Sequence, residues 1–402
     1  MILKDFQKAT VKHVIEKLND NNRFLVADEV GLGKTIIARG VIEELYKEHR
    51  KKSKPFHVIY ICSNQVLAQQ NISKLNISGS DLHDAYSRLF LMVKKKQSND
   101  QSDFIISTLT PNTSFRMKKS KGTAEERAIL YKILRENVYK PGDRKVSGRL
   151  KKLLQGDCED SWYNWWTDGY IKTTELKKGV ENKIIREFKK RGLLSDLELY
   201  FNDDSSERAV DLIMKMRSMV TSVVIDHYLS ADLFILDEFQ RFNDLIKVNG
   251  DDGEKSEIKE TAEKIFKGNK KILLLSATPF KQYTTQWEIE NTEDHFTEFN
   301  EVLSFLVNNR DDTYLAKISE KRKQYISSLQ NIQWDNPGSI TDEIFQNSKD
   351  FLASLYLEGI SRTERAIVEE IPLVSESSIK KIYPKSEGLK KIVSSLRFLN
   401  EN

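Results

Sequence analysis

Residues Phe24 to Arg50 read FLVADEVGLGKTIIARGVIEELYKEHR, and the fold is decided there. FLVA, Phe24 to Ala27, is a short apolar run of strand character. Beyond the glycine-containing loop, Ile36, Ile37, Val41 and Leu45 recur at helical spacing, which predicts an amphipathic helix. HVIYIC, His57 to Cys62, supplies a second strand, so the chain opens as strand, loop, helix, strand, the crossover that joins parallel neighbours. Three later runs share this character: FIIST (Phe104 to Thr108), LFILDE (Leu233 to Glu238) and KILLLSAT (Lys271 to Thr278). Their apolarity is near-continuous rather than alternating, as in strands buried on both faces. With the helical stretches between them, they imply an α/β protein built on a parallel sheet flanked by helices.

The loop ADEVGLGKT, Ala27 to Thr35, has the composition of a phosphate cradle. Glycines let backbone N–H groups curl around phosphate oxygens, a lysine reaches the β and γ phosphates, and a hydroxyl holds Mg²⁺. Gly31, Gly33, Lys34 and Thr35 supply these groups, and Asp28, Glu29, Val30 and Leu32 complete the loop. The general pattern is G-x-x-x-x-G-K-[ST], and Asp28 stands at its first glycine. Open α/β sheets bind ligands beyond the C-terminal ends of their strands. LFILDEFQ places an acidic pair there: Asp237 to share Mg²⁺ with Thr35, and Glu238 to orient and deprotonate an attacking water. ATP and Mg²⁺ are the cofactors this pairing implies.

Composition bounds the rest. The 402 residues carry a formal charge of +4, with 39% hydrophobic and 31% charged residues, which excludes a strongly basic nucleic-acid coat and an acidic disordered tail. No apolar run approaches the roughly 20 residues that span a bilayer. The start, MILKDFQK, has charges where a signal peptide needs an apolar stretch. Two cysteines, Cys62 and Cys158, make neither a disulfide framework nor a four-ligand zinc site, so a reducing, cytoplasmic setting without membrane contact is expected. The six histidines show no metal spacing. His227, in the apolar run VVIDHYL, is expected to be partly buried, His295 to be a surface or outer-sphere residue, and Cys62 to be a small core hydrophobe.

The alternation of strands and helices stops near Thr110 and resumes near Asp211, too long an interval for a loop. Residues 111–210 are therefore expected to form a basic, mostly helical insertion into a discontinuous lobe of residues 1–110 and 211–310, with 311–402 as a helical connector. From Arg116 to Lys152 there are 13 Lys and Arg against 4 Asp and Glu, a net of +9, which leaves −5 for the remainder of the +4 chain. Such a stretch either tracks phosphates or is a solvated helix surface. Trp162, Trp165 and Trp166 either stack on unpaired bases or form the core of the insertion.

ADEVGLGKT, LDEFQ and LLLSATPF, in this order, resemble the first RecA-like lobe of superfamily-2 helicases and translocases. The D-E-x-G-x-G-K-T form is most similar to the SWI/SNF-type branch, whose members translocate on duplex DNA. DEFQRF, LSATPFK and SRTERA (Ser361 to Ala366) are similar to large bacterial helicase-like proteins, several associated with restriction and phage defence. This resemblance covers roughly residues 1–110, 210–310 and 361–366, and the insertion matches no family. It implies that Gln7 in LKDFQKATVKHVI reads adenine, against the alternative of a surface helix glutamine. It implies that Ser63, Asn64 and Gln65, and Thr108 and Thr110, contact a nucleic-acid backbone, although Ser63 to Gln65 suit helix capping equally well. Gln240 stands where other branches have His or Asp and would couple the γ-phosphate to the nucleic-acid side. Ser276, Ala277 and Thr278 match the SAT triplet that links nucleotide state to lobe movement, and Arg362 and Arg365 would lie in a connector.

Lys34, Asp237, Glu238 and Gln240 are thus the candidate catalytic set, in a nucleic-acid-dependent ATPase acting most naturally on duplex DNA. Motors of this kind need a second RecA-like lobe whose arginines stabilise the transferred phosphoryl group. No Q-x-x-G-R-x-x-R pattern follows Pro279, so that lobe is expected in a longer protein or a partner chain, the ending GLKKIVSSLRFLNEN favouring the former. The alternative is an ATP-regulated nucleic-acid or protein-binding platform without useful hydrolysis by this chain.

Overall fold

The computed structural model describes residues 3–50, 55–77, 88–95, 103–110, 121–139, 144–156, 158–159, 161–202, 206–229, 231–239, 262–266, 268–277 and 295–307, with short pieces at 316–317, 320–321, 323–324, 350 and 359–361. Helix α1 (Asp5–Asp20) precedes strand β1 (Arg23–Val26), and α2 (Lys34–His49), β2 (Phe56–Ile61), α3 (Gln65–Leu75) and β3 (Phe104–Leu109) follow. A helical run comes next: α4 (Ala124–Asn137), α5 (Arg144–Gln155), a π-helical stretch (Tyr163–Tyr170), α6 (Val180–Lys190), α7 (Leu193–Asn202) and α8 (Ser206–His227). Strands β4 (Leu233–Asp237) and β5 (Lys271–Leu275), helix α9 (His295–Leu306) and strand β6 (Ile360–Ser361) complete the described elements.

Among the described residues the six strands form one sheet in the order β3-β2-β4-β5-β1-β6, with every neighbouring pair parallel. The architecture is RecA-like: a parallel sheet with helices on both faces. Strand side chains alternate between two cores. Phe24, Val26, Val58, Tyr60, Leu233, Ile235, Leu273 and Leu275 pack with Val14, Ile37, Val41 and Ile72 of α1, α2 and α3. Leu25, Ile59, Ile61, Phe234, Leu236 and Leu274 pack on the other face with residues of α4 to α8, such as Leu130, Phe188 and Val220. Burial on both faces is why these strands read as unbroken apolar runs. Helices between residues 124 and 202 thus share a core with one face of the sheet.

Two details depart from expectation. The two-residue strand β6 pairs beside β1, Leu25 with Ile360 and Val26 with Ser361, at a place without any apolar run to signal a strand. His227 is exposed rather than partly buried, because it closes α8 on the solvent side. Arg362 and Arg365 lie outside the described residues, as does the side chain of His295.

Register places the site. Val26 pairs with Leu275, which pairs with Asp237, and Leu236 pairs with Ile61, which pairs with Leu109. The C-terminal ends of β1, β5, β4, β2 and β3 therefore form one edge, and every candidate loop leaves from it.

Candidate functional site

The glycine loop leaves β1 through Ala27 and Asp28, both fully buried, and turns outward at Val30, which is 67% exposed. Gly31 and Gly33 have φ of +86° and +83°, in the left-handed region where a β-carbon is disfavoured. A β-carbon on Gly33 would also lie 2.9 Å from Gln7 Nε2. Ile36 and Ile37 donate their N–H groups to Gly33 O at 2.8 and 3.0 Å, so α2 begins directly at the loop, with Lys34 and Thr35 in its first turn. Lys34 Nζ folds back over the loop, donating to Asp28 O at 2.8 Å and Glu29 O at 3.3 Å. Two left-handed glycines, a helix N-terminus and a lysine ammonium at the mouth fit a polyphosphate.

Gln7 is not a surface glutamine. It is 5% exposed, donates from Nε2 to Leu32 O at 3.0 Å and accepts at Oε1 from Lys4 N at 3.0 Å, so it buttresses the loop from α1.

Asp237 ends β4, and Glu238 follows at φ +52°, with its N–H donated to Leu275 O at 2.9 Å. Asp237 Oδ2 accepts a hydrogen bond from the hydroxyl of Tyr60, and that hydroxyl accepts from Asn71 Nδ2 at 2.9 Å. Burial pushes the Asp237 carboxyl above its ordinary range and the charge of Glu238 adds to this, while the Tyr60 bond and the Lys34 ammonium pull it back. Burial, then the Asp237 carboxylate, raises the Tyr60 phenol far above its ordinary value. The Cys62 thiol is also raised, first by burial, with the charges of Asp237 and Glu238 contributing. Lys34, Cys62 and the acidic pair thus share one electrostatic neighbourhood at the sheet edge.

The remaining candidates divide. Ser276 is fully buried and donates its N–H to Val26 O at 3.1 Å, tying β5 to β1, and Ala277 beside it is half-buried. Gln240 and Thr278 lie outside the described residues. Asn64 caps α3, its Oδ1 accepting from Val66 N at 2.8 Å. Ser63 is half-buried beside it, and Gln65 is the first residue of α3. Thr108 and Thr110 are 5% and 4% exposed, leaving little surface to meet a strand. The tryptophans separate: Trp162 is buried, edge-on to Tyr131, and donates Nε1 to Ala124 O at 3.2 Å. Trp165 is 69% exposed and, with Glu125, Asn164, Trp166 and Gly169, lines a cavity of about 530 Å³.

Sequence reasoning missed Tyr60 and Asn71. The available signal was a single hydroxyl inside an apolar strand, which demands a buried partner.

Residues 1–131 match the family model described as "Type III restriction enzyme, res subunit". Over that stretch the chain is superfamily-2 helicase-like. No curated protein matches it. Among solved structures it is similar, at 13% identity and a TM-score of 0.33, to a nuclease-deletion mutant of the Type ISP restriction-modification enzyme LlaGI in complex with a DNA substrate mimic. That match covers 100% of this chain and 32% of the other, so the chain spans about a third of that protein's length.

For this helicase-like chain, ATP with Mg²⁺ is the cofactor pair of the family, and the loop geometry suits it. Among the described residues no cluster of three His, Cys, Asp or Glu side chains could hold a metal alone. Magnesium shared with nucleotide phosphates needs only one or two protein carboxylates. No described helix is long and apolar enough to cross a membrane.

Proposed function

We propose that this chain is the ATP-binding motor lobe of a nucleic-acid-dependent ATPase, a DNA translocase or helicase of the restriction type, serving defence against phage. One observation carries the reading: the glycine loop after β1 and the acidic pair after β4 meet at one sheet edge, in register through β5. The family match over residues 1–131, to a restriction-enzyme subunit, supports DNA as the polymer and restriction as the setting.

In this reading the backbone N–H groups from Gly31 to Thr35 bind the phosphates, and Lys34 exchanges its loop carbonyls for the β and γ oxygens. Thr35 and Asp237 would hold Mg²⁺, whose charge would offset that of the phosphates. Glu238 orients the attacking water and accepts its proton. Ser276 and Ala277 pass the change at the γ position to a second RecA-like lobe, elsewhere in a longer protein or on a partner chain. Gln7, fixed against Leu32, holds the loop and presents its remaining edge to adenine.

Equilibrium binding of ATP tests this directly. The protein binds ATP in a Mg²⁺-dependent manner and Lys34→Ala does not; equal binding by the two would overturn the assignment. Binding by the full protein with no turnover on any nucleic acid is the result expected of a regulated platform instead.

A further inference from the structure

Tyr60 is the penultimate residue of β2, fully buried in the core that α1, α2 and α3 make with the sheet. A phenylalanine would pack there without a hydroxyl to desolvate, so the hydroxyl needs its own explanation. It has two partners. Its single proton goes to Asp237 Oδ2, and its oxygen accepts from Asn71 Nδ2 at 2.9 Å, so the polarity of the chain is fixed as Asn71 to Tyr60 to Asp237. Asn71 sits on α3, whose N-terminus carries Ser63, Asn64 and Gln65, and Lys74 O near its other end accepts from Arg39 Nη1 of α2 at 3.2 Å. Helix α3 therefore touches the phosphate-loop helix on one side and the Asp237 carboxylate, through Tyr60, on the other.

Resting on the motor-lobe reading, we infer that Tyr60 and Asn71 are positioning residues that couple the carboxylate of Asp237 to the placement of α3, and so to nucleic acid held at the N-terminus of that helix. A hydrogen bond tolerates only a few tenths of an ångström before it weakens. A shift of α3 along its axis alters the bond from Asn71, which re-aims the phenol and changes how firmly the carboxylate is held. Partners of this kind, one bond away from a ligating carboxylate, typically contribute tenfold or more to metal affinity. Coupling between two ligands is reciprocal, so DNA at α3 and nucleotide at Asp237 must change each other's affinity by the same factor.

The test uses full-length protein, duplex DNA, and a fluorescent, non-hydrolysable ATP analogue titrated at several Mg²⁺ concentrations, in wild type, Tyr60→Phe and Asn71→Ala. In wild type, DNA shifts the analogue's Kd by about fivefold or more. Tyr60→Phe still binds the analogue, needs about tenfold more Mg²⁺, and shows a Kd that no longer responds to DNA. Asn71→Ala keeps the bond from Tyr60 to Asp237, so its Mg²⁺ requirement stays near that of wild type while the response to DNA falls. A variant that retains both the wild-type response to DNA and the wild-type Mg²⁺ requirement overturns the inference while leaving the motor reading intact. If wild type binds no analogue, the motor reading itself fails and the inference falls with it. Asn71 is only half-buried, so its variant decides the matter if Tyr60→Phe melts below the assay temperature.

Discussion

Glu238 occupies the left-handed region at φ +52°, where a β-carbon costs roughly 1–2 kcal/mol relative to ordinary backbone. Such strain persists where the surroundings over-determine the backbone, here the bond from Glu238 N to Leu275 O and the fully buried Phe239 beside it. Glu238→Gly is expected to melt a few degrees above wild type while losing turnover, a pairing read by thermal melts beside an ATPase assay. Asp237 gives a second contrast with a definite sign. Its folded-state pKa is raised above the 3.8 of a free aspartate, so the folded state binds the proton more tightly than the unfolded one. Its contribution to stability is therefore full below 3.8 and is lost as pH rises through the folded value. Asp237→Asn, which keeps an acceptor for Tyr60, should melt above wild type at neutral pH, and the gap should narrow as pH falls through the raised folded value toward 3.8. A gap independent of pH would contradict this. The glycine loop and the acidic pair were legible as candidates because each is a contiguous run of recognisable residue type and order, and the sheet brings both to one edge. Tyr60 was not, because its partner lies 177 positions away and only the register of β2 on β4 brings them together.

At the scale of elements, the five short apolar runs located the five longer strands to within one residue at their starts. Each is buried on both faces, and that leaves a compositional mark. Strand β6 left none, since two residues on an edge need no apolar run. The helical character of residues 124–202 was legible, but what holds those helices was not. Arg217 of α8 and Glu126 of α4, both fully buried, form an ion pair at 2.9 Å; Thr123 N donates to the same carboxylate and Arg88 approaches it at 3.7 Å. Nothing local in a lysine-rich, glutamate-rich sequence singles out one such pair. Arg217→Met should destabilise the protein by about 3–5 kcal/mol, because it strands the buried Glu126 charge; a denaturant melt reads the loss. The tryptophans show the same limit, since the cluster was visible and its division was not. Trp162→Ala should lose about 3–5 kcal/mol, whereas Trp165→Ala, on the surface, should change stability by less than about 0.5 kcal/mol. Equal effects from the two would refute the placement of Trp162 in the core.

At the scale of the molecule, the formal charge of +4 conceals a division, with a net of +9 confined to Arg116 to Lys152. Part of that charge lies on α5, where Arg149 and Lys152 are exposed. If this stretch tracks phosphates, reversing both charges should weaken DNA binding and flatten the slope of log affinity against log salt by about two. An unchanged slope would assign the stretch to solvated surface. The sheet order was not legible from sequence, because pairing of β1 with β5 and β6 joins segments hundreds of residues apart. That pairing nevertheless turns three separate sequence signals into one edge. If this edge is the nucleotide site of a nucleic-acid-driven motor, turnover will show it. ATP hydrolysis by the full-length protein is measured alone and with duplex DNA, single-stranded DNA and RNA, for wild type and Glu238→Gln. Turnover should rise severalfold or more with duplex DNA, and the variant should bind ATP with little or no hydrolysis. Turnover indifferent to every nucleic acid, or undiminished in Glu238→Gln, would contradict it.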